Sequence, residues 1–415
     1  MRLNASKYND HWQDKSLNEL GAFQRGKSRH RPRNDQALFS GGKHPLIQTG
    51  EIKEANLYIT KHTSAYNDFG LAQSKLWPKD TLCITIAANI AETALLGYPM
   101  CFPDSVVGFN ADAKESSELF MHYVFTYIRR AIQNSASGSI QDNINIDYLT
   151  GIKFKIPTKN YQDKIVAVLT ALDSKIDCNN RINAELEALA KSLYDYWFIQ
   201  FDFPDSKGKP YKSAGGKMIY NTALKRDIPE GWLDKQLGQI ANITMGTSPV
   251  GESLNDTGEG VEFFQGSTDF GWQFPTIRQY TTQPVRMAKQ GDILLSVRAP
   301  VGDLNLAHID CCIGRGLAAL NSKDGFDGFL FYVMQYFKTI FDRRNSEGTT
   351  FGAITKDDLH SLVLAYPSSD ILQKYNDVVS GYNSMVFARS REIEQLTKLR
   401  DWLLPLLMNG QVTVD

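Results

Sequence analysis

The sequence predicts an α+β protein in which two similar mixed α/β domains are separated by two long helices that form an antiparallel coiled coil. Three observations predict this. The chain repeats itself after roughly 210 to 220 residues, each copy ends in a segment with heptad spacing, and each copy mixes strand-like with helix-like apolar runs. We expect the segments to be 1–158 and 221–368 for the domains, and 159–220 and 369–415 for the helices with the central linker.

The repeat is clearest near the start of each copy, where identical residues recur 220 positions apart. The identical pairs are Trp12/Trp232, Asp14/Asp234, Lys15/Lys235, Leu17/Leu237, Gly26/Gly246 and Ser28/Ser248. Later matches, such as Gly138 with Gly348 and Pro157 with Pro367, are 210 positions apart. Loops tolerate the insertions that such a drift requires. Two domains of the same topology are therefore predicted.

Each copy closes with a segment whose key residues lie seven apart, as in a coiled-coil seam. In the first they are Ile165, Leu172, Asn179, Leu186 and Leu193, and in the second Tyr375, Tyr382, Arg389, Leu396 and Leu403. We assign the companion seam positions to Val168, Ile182, Leu189 and Tyr196, and to Val378, Met385 and Leu399. Such long helices need partners, and a pseudo-twofold between the copies pairs them antiparallel. The equivalent polar residues Asn179 and Arg389 either fix the register or mark a wet patch.

Strands and helices within the domains follow from short apolar runs. Residues 81–86 and 293–297 are typical of buried strands, whereas 119–132 and 329–341 are typical of buried helices.

Gly21–Ser28 matches the phosphate-loop pattern GxxxxGK[ST]. A phosphate loop needs a buried strand before it and a helix after it, and the polar flanks here predict neither. The second copy lacks the first Gly and the Lys. A nucleotide-binding enzyme that uses Lys27 and Ser28 is therefore kept only as an alternative.

The same stretch carries basic residues at alternate positions: Arg25, Lys27, Arg29, Arg31 and Arg33. An extended backbone would direct all five cations to one side, where they could bind a DNA backbone or guanine edges. A solvated surface loop is the alternative. With their neighbours Ser28 and His30, we predict DNA contacts in the first domain.

Other DNA-contacting candidates lie on polar loops, because Ser, Thr, Gln, Asn and Arg are the side chains that contact bases and phosphates. In the first copy they are Ser139, Gln141 and Asn143, and in the second Thr247, Ser248, Arg278, Arg298, Thr349 and Thr350. Arg286 and Arg315 are further cations of the second copy. The alternative is a set of ordinary glycine turns. Because the loops differ, the two domains are expected to read different sequences.

Aromatic residues crowd the end of the first long helix. They are Tyr194, Tyr196, Trp197, Phe198, Phe201 and Phe203, and Trp402 lies near the end of the second helix. Aromatic side chains are enriched in desolvated interfaces, which predicts a subunit-docking surface. Packing against the adjacent domains is the alternative.

The composition narrows the class of protein. Net charge is −1, so DNA binding must be local. Five cysteines without a CxxC pair, no apolar leader and no membrane-length apolar run favour a cytoplasmic protein without a membrane partner or a metal site. No catalytic motif stands out, which leaves a scaffold that does not touch DNA as a further alternative.

Leu193–Asp205, Gly208-Lys-Pro-Tyr-Lys212, Gly215-Gly-Lys-Met218 and Ile228-Pro-Glu-Gly-Trp232 resemble the specificity subunits of type I restriction-modification enzymes. Gly26–Arg33 resembles that family too. The resemblance implies a non-catalytic subunit whose two target recognition domains read a split DNA sequence. The helices would set the gap between the half-sites, and the aromatic segment would take part in assembly.

The same resemblance implies partners and cofactors. Two modification subunits would bind S-adenosylmethionine and methylate adenine, and restriction subunits would use ATP, with Mg²⁺. We expect none of these cofactors in this chain. One departure from symmetry is the second helix, which we expect to stop at Pro405 without an aromatic set.

Overall fold

The computed structural model describes residues 2–3, 7–8, 11–137, 144, 146–346 and 353–414. The chain divides into two compact units: Met1–Arg181 with Arg389–Asp415, and Ile182–Ala388. The division falls inside both long helices. No helix in the described ranges has an apolar stretch long enough to span a bilayer.

The helices fall into a repeated series along the chain. They are α1 (Leu17–Leu20), α2 (Thr49–Glu54), α3 (Asp68–Ala72), α4 (Glu118–Ser137), α5 (Ile146–Gly151), α6 (Lys159–Tyr194), α7 (Leu237–Ile240), α8 (Asp327–Ser346), α9 (Lys356–His360) and α10 (Ser369–Met408). A π-helical turn, Asp195–Ile199, continues α6. Single 3₁₀ turns lie at Gln36–Leu38, Gly251–Ser253 and Ser267–Asp269.

Two sheets form the globular part of the first unit, in the orders β3-β11-β8-β9-β5 and β6-β4-β10-β7. The strands are β1 (Arg2–Leu3), β2 (Gln13–Lys15), β3 (Gly21–Arg25), β4 (His44–Leu46), β5 (Tyr58–Ile59), β6 (Ser64–Tyr66), β7 (Leu76–Trp77), β8 (Leu82–Thr85), β9 (Thr93–Leu96), β10 (Met100–Cys101), β11 (Val106–Ala111) and β12 (Phe154–Ile156). Strands β4 and β10 are parallel, whereas β6–β4 and β10–β7 are antiparallel.

The second unit has sheets ordered β16-β24-β21-β22 and β17-β19-β18-β23-β20. Its strands are β13 (Met218–Asn221), β14 (Arg226–Pro229), β15 (Leu233–Gln236), β16 (Ala241–Met245), β17 (Leu254–Asn255), β18 (Val261–Phe264), β19 (Gln279–Thr281), β20 (Met287–Ala288), β21 (Ile293–Ser296), β22 (Leu304–Leu306), β23 (Cys311–Ile313), β24 (Leu317–Ser322) and β25 (Val363–Tyr366). The last strand, β26 (Val412–Thr413), pairs with β1 in the first unit.

The two units share one topology, which confirms the predicted repeat. The order β3-β11-β8-β9 recurs as β16-β24-β21-β22, and β6-β4-β10-β7 recurs as β19-β18-β23-β20. The parallel pair inside the second of these orders recurs as well, because β18 and β23 are parallel like β4 and β10. The first unit has a further parallel pair in β5 and β9. The β2–β12 pair has its counterpart in β15–β25. Insertions between these strands account for the changing offset.

Each unit has its own apolar core, because the central strands are buried along their whole length. All four residues of β8 and of β21 are buried. Such strands read as continuous apolar runs, which is why the sequence revealed them. In the first unit the end of α10 joins the core through Leu403, Leu404, Leu407 and Met408.

The long helices pack antiparallel within the units. In the first unit Asp173 lies 2.9 Å from Arg400, and Asn179 lies 2.8 Å from Glu392. Residues further along α6 therefore contact residues earlier in α10, as in an antiparallel pair. In the second unit the hydroxyl of Tyr375 donates to the carbonyl oxygen of Ala190 at 3.2 Å. The predicted antiparallel coiled coil is thus present.

The companion row of the seam differs from our prediction. The buried companions in α6 are Leu169, Ile176, Asn183 and Ala190, and in α10 Val379 and Val386, one position after those we assigned. Leu189, Tyr196, Val378, Met385 and Leu399 are exposed. In a heptad seam the spacing between successive buried residues alternates between three and four. We placed each companion three residues after a residue of the first row, where apolar residues also occur, but the buried companion lies four residues after it.

The prediction that α10 stops at Pro405 is wrong. The helix continues to Met408, with Pro405 inside its last turns. A proline removes one backbone donor and crowds the preceding turn. Burial of Leu404, Leu407 and Met408 in the first unit's core offsets this cost.

Candidate nucleic-acid interface

The repeated glycines Gly26 and Gly246 stand where β3 and β16 lead into the candidate DNA-contacting loops. A Cβ at Gly26 would overlap the carbonyl oxygen of Pro103, and a Cβ at Gly246 would overlap that of Gly314. The amide of Gly26 donates to Val106, and that of Gly246 donates to Leu317. Only glycine fits both places, so the repeat preserves the geometry at which each loop begins.

The loop that follows Gly26 is not a phosphate loop. β3 is the end strand of an antiparallel ladder with β11, and no helix follows it before the 3₁₀ turn at Gln36–Leu38. Ser28 is buried. A phosphate loop needs the amino terminus of a helix directly after its glycines. Lys27 and Ser28 therefore lack the setting in which they would bind nucleotide phosphates.

The five cations of this loop do not extend side by side, contrary to our expectation, because the loop turns after Arg25. The guanidinium of Arg31 donates to the carbonyl oxygens of Ser28 and His30 at 2.6 and 2.8 Å. Arg33 donates to both carboxylate oxygens of Asp104, at 2.8 and 3.0 Å. These two arginines hold the loop.

Arg25 and Arg29 are different. Both are exposed, and among the described residues no acceptor lies within hydrogen-bond distance of either guanidinium. Lys27 is half-buried. Since a guanidinium without an internal partner can bind an external acceptor without breaking a bond, these two are the best-placed cations for a DNA phosphate or a base edge.

A second segment anchors the loop from the side. The side-chain oxygen of Gln73 accepts from the amides of Arg29 and His30 at 2.6 and 3.1 Å. The hydroxyl of Ser74 donates to the carbonyl oxygen of Lys27 at 2.9 Å. The ring of His30 donates a hydrogen bond to the carboxylate of Asp35 at 2.8 Å. The backbone that carries Arg29 is therefore fixed before any ligand arrives.

Sequence reasoning missed this second segment, because the contacts join residues more than 40 positions apart. Lys75 donates to Gln24 at 3.0 Å and lies over the ring of Trp77. Burial, and then the charge of Lys27, lower the pKa of Lys75. We call seven residues of the two segments 24–30 and 69–75 the basic–aromatic surface: Gln24, Arg25, Lys27, Arg29, His30, Phe69 and Lys75.

The second unit has fewer cations at the equivalent place. Thr247 is exposed, and the hydroxyl of Ser248 donates to Gln265 at 3.1 Å and accepts from the amide of Arg315 at 3.4 Å. This arrangement brings Arg315, which is exposed, beside the loop. Arg278 lies 4.0 Å from Asp269 and is itself exposed.

Arg298 is exposed and forms an isolated bridge with Ala353. The remaining candidates, Ser139, Gln141, Asn143, Thr349 and Thr350, lie outside the described residues. Among the described residues, no group of His, Cys, Asp or Glu is arranged to hold a metal ion.

Five of the aromatic residues predicted to dock another subunit are instead buried in the core of the second unit. They are Tyr194, Trp197, Phe198, Phe201 and Phe203. Phe198 contacts Phe329 and Tyr375 with ring centroids 4.8 and 4.9 Å apart. Burial raises the pKa of Tyr194, as expected for a phenol inside a core. These side chains position the helix end, and a partner could not reach them.

Exposed apolar side chains lie instead on the outer faces of the helices. Leu189, Tyr196, Val378 and Met385 are on the second unit, and Leu399 and Trp402 on the first. Leu189 and Leu399 occupy equivalent positions of the repeat, and Val378 is equivalent to the half-buried Val168. We call Val168, Leu189, Val378 and Leu399 the outer row. Each unit contributes one leucine and one valine to it.

The comparisons with known proteins agree with this architecture. The family model described as "Type I restriction modification DNA specificity domain" matches residues 9–188 and 229–394. A Methanocaldococcus jannaschii protein named as the MjaX specificity subunit of a type I restriction enzyme is 32% identical over 299 residues, which cover 70% of this chain and 65% of that protein.

Two further similarities cover nearly the whole chain. The type I restriction enzyme MjaIX specificity subunit of the same organism is 22% identical over 423 residues, covering 97% of this chain and 94% of that protein. The crystal structure of a type I restriction-modification S subunit from M. genitalium aligns over 100% of this chain and 98% of its own, with a TM-score of 0.63 and 17% identity. That likeness shows the fold.

Proposed function

Since the chain belongs to the type I restriction-modification DNA specificity domain family, we propose that each of its two units reads one half of a split DNA target. The chain is a DNA sequence-specificity subunit of a type I restriction-modification system and not itself an enzyme. The observation that carries the proposal is the duplication of one strand order, with different loops on each copy. We assign target recognition to residues 1–158 and 221–368.

In the first recognition domain, Arg25 and Arg29 bind the DNA, while Arg31 and Arg33 keep the loop in shape. In the second, Thr247, Ser248 and Arg315 take the equivalent place, with Arg278 and Arg298 as further cations. A guanidinium can bind guanine with two hydrogen bonds, whereas hydroxyl groups contact several bases. The two half-sites therefore differ in sequence.

The helical segments 159–220 and 369–415 set the distance between the half-sites. The buried Asn179 donates to the partly exposed Glu392, and this contact favours one register, because sliding the helices would leave a buried amide without its partner. A fixed register of the two helices gives a fixed distance between the half-sites.

The outer row is the docking surface for modification subunits. Its equivalent Leu189 and Leu399 lie one on each unit, which supports two copies of the partner. Leucine and valine on an exposed helix face suit a helix of the partner. The modification subunits bind S-adenosylmethionine and methylate adenine, and the restriction subunits use ATP with Mg²⁺. Since these subunits act on the DNA of the host, we place the complex in the cytoplasm.

Deleting one heptad from both helices tests the proposal. Removing residues 176–182 and the equivalent 386–392 shortens the helices by about 10 Å while keeping their faces aligned. We expect the complex with modification subunits to prefer a target whose half-sites are about three base pairs closer. Asp177→Ala with Arg391→Ala alters exposed side chains of these heptads at unchanged length and should keep the original gap.

The measurement is methylation of a library of duplexes that differ only in the gap between half-sites. An unchanged gap in a folded deletion variant refutes the spacer function. Equal modification of duplexes with scrambled half-sites by the unaltered complex refutes sequence reading itself.

A further inference from the structure

Phe69 is the large apolar side chain of the basic–aromatic surface, and 57% of it is exposed. Its helix, α3, is fixed on both sides. Asn67 accepts a hydrogen bond from the amide of Gly70 at 2.9 Å, and Gly70 lies so close to Leu38 and Tyr66 that no Cβ would fit. The position of Phe69 is therefore set by the fold.

One neighbour of Phe69 belongs to the DNA-contacting loop. The ring of His30 meets the ring of Phe69 edge-on, with centroids 5.7 Å apart and an angle of 77° between planes. His30 directly follows Arg29 and is held by Gln73 and Asp35. The exposed ring of Phe69 on α3 therefore touches the anchored loop next to the residue that carries the free guanidinium, Arg29.

A single exposed apolar residue needs no explanation on an ordinary surface. Phe69 is different because its ring contacts His30, on the loop that also carries Arg25 and Arg29, and the guanidinium groups of these two arginines have no hydrogen-bond partner among the described residues. Cations of this kind bring a DNA duplex to the surface. In the major groove the apolar group of a base pair is the C5-methyl group of thymine, which phenylalanine can contact.

We propose that Phe69 contacts the methyl group of a thymine in the half-site read by the first unit, and so helps to specify that base. The inference rests on the proposed DNA-reading function and adds a residue to it. Arg29 supplies the polar contact and Phe69 the apolar one.

The experiment removes the methyl group from the DNA and the ring from the protein. Thymines of each half-site are replaced in turn by uracil, which lacks the methyl group, or by 5-bromouracil, which carries an atom of similar size in its place. Binding by the complex of this chain with its modification subunits is measured for the unaltered chain, Phe69→Ala and Phe69→Leu. Tyr220→Ala removes a side chain of similar exposure, 62%, from the β13–β14 hairpin of the second unit.

We expect one uracil in the first half-site to weaken binding roughly fivefold for the unaltered chain. 5-Bromouracil should restore binding, and Phe69→Leu should keep part of the discrimination. Phe69→Ala should bind the thymine and uracil duplexes equally, and Tyr220→Ala should behave like the unaltered chain.

Two results overturn the inference. In one, Phe69→Ala still distinguishes thymine from uracil. In the other, Phe69→Ala weakens assembly with the partner subunits, which would place Phe69 in a protein interface. Neither result affects the proposed function, which fails only if the unaltered complex binds scrambled half-sites as well as intact ones.

Discussion

At one equivalent pair of positions the first unit has polar side chains and the second unit has apolar ones. In the first unit His122 on α4 bonds to the hydroxyl of Thr93 on β9 at 3.0 Å. In the second the equivalent positions on α8 and β22 hold Phe331 and Leu304. The same strand order thus accepts a polar pair or an apolar one. Topology is preserved through the direction and pairing of the strands, whereas the packing of individual positions is free to change.

The largest effect of this difference is expected at low pH. Burial, followed by the charges of Arg129 and Arg400, lowers the pKa of His122 to about 3. In the unfolded chain a histidine has a pKa of about 6.5. The unfolded state therefore binds more protons between these values, so stability is complete above pH 6.5 and falls as the pH falls.

We expect the first unit to lose about 4 kcal/mol from this group by pH 3, since each pKa unit corresponds to about 1.4 kcal/mol. His122→Phe with Thr93→Leu, which copies the second unit, should remove most of that loss. Urea denaturation between pH 7 and pH 3 measures it. An unchanged pH dependence in the double variant would show that His122 is not the source.

Equivalent core strands should respond alike. Leu82 on β8 and Ile293 on β21 are both completely buried. Truncating either to alanine should cost its unit about 3 kcal/mol. Hydrogen exchange can measure the loss in each unit separately, with exposed Leu233→Ala as a control. If one of the two variants destabilises its unit and the other does not, the duplicated strands do not have equivalent roles.

The outer row tests whether the duplication extends to partner binding. Leu189→Asp and Leu399→Asp should each remove one modification subunit, and the double variant both, because a charge replaces a buried contact at the interface. Native mass spectrometry of the complex counts the subunits. Ala188→Asp and Gln395→Asp place the same charge on neighbouring exposed positions and should leave two subunits bound. Loss of both partners from one single variant would contradict two independent docking sites.

The loops give the smallest and most local effect. Arg29→Ala should weaken binding about tenfold and reduce the salt dependence by about one unit of log-log slope if a phosphate contact is lost. If Arg29 contacts a base edge, the effect should vanish on a duplex whose first half-site is scrambled, whereas the loss of a phosphate contact should weaken binding to both duplexes. Arg286→Ala, an exposed arginine of the second unit, should not respond to that scrambling. Fluorescence anisotropy at several salt concentrations provides both values.

The sequence predicts the fold well wherever burial leaves a periodic pattern. The runs 81–86 and 293–297 contain β8 and β21, and the first seam row lies on the helices as predicted. The companion row is missed because Leu189 and Ala190 differ by one position, and the more apolar residue is the exposed one. Apolar character alone cannot separate an exposed row from a seam.

The candidate site is predicted in part. The basic composition of residues 25–33 points to the loop, but not to the contacts that occupy Arg31 and Arg33. Those contacts involve backbone carbonyls and Asp104, which only the folded chain brings near. Phe69 and Gln73 are far from the loop in sequence, so no local pattern predicts them. The aromatic segment is misread because residues typical of interfaces are also typical of cores.

The division of the chain inside both long helices has a consequence for biosynthesis. The core of the first unit needs Leu403, Leu404, Leu407 and Met408, which leave the ribosome only after the whole second unit. Residues 182–388 are made in between and contain a complete core of their own. At about 5–20 residues per second, translation of that stretch takes on the order of ten seconds or more. The first unit begins before the second one and is completed after it, so during that time part of its apolar core surface stays uncovered.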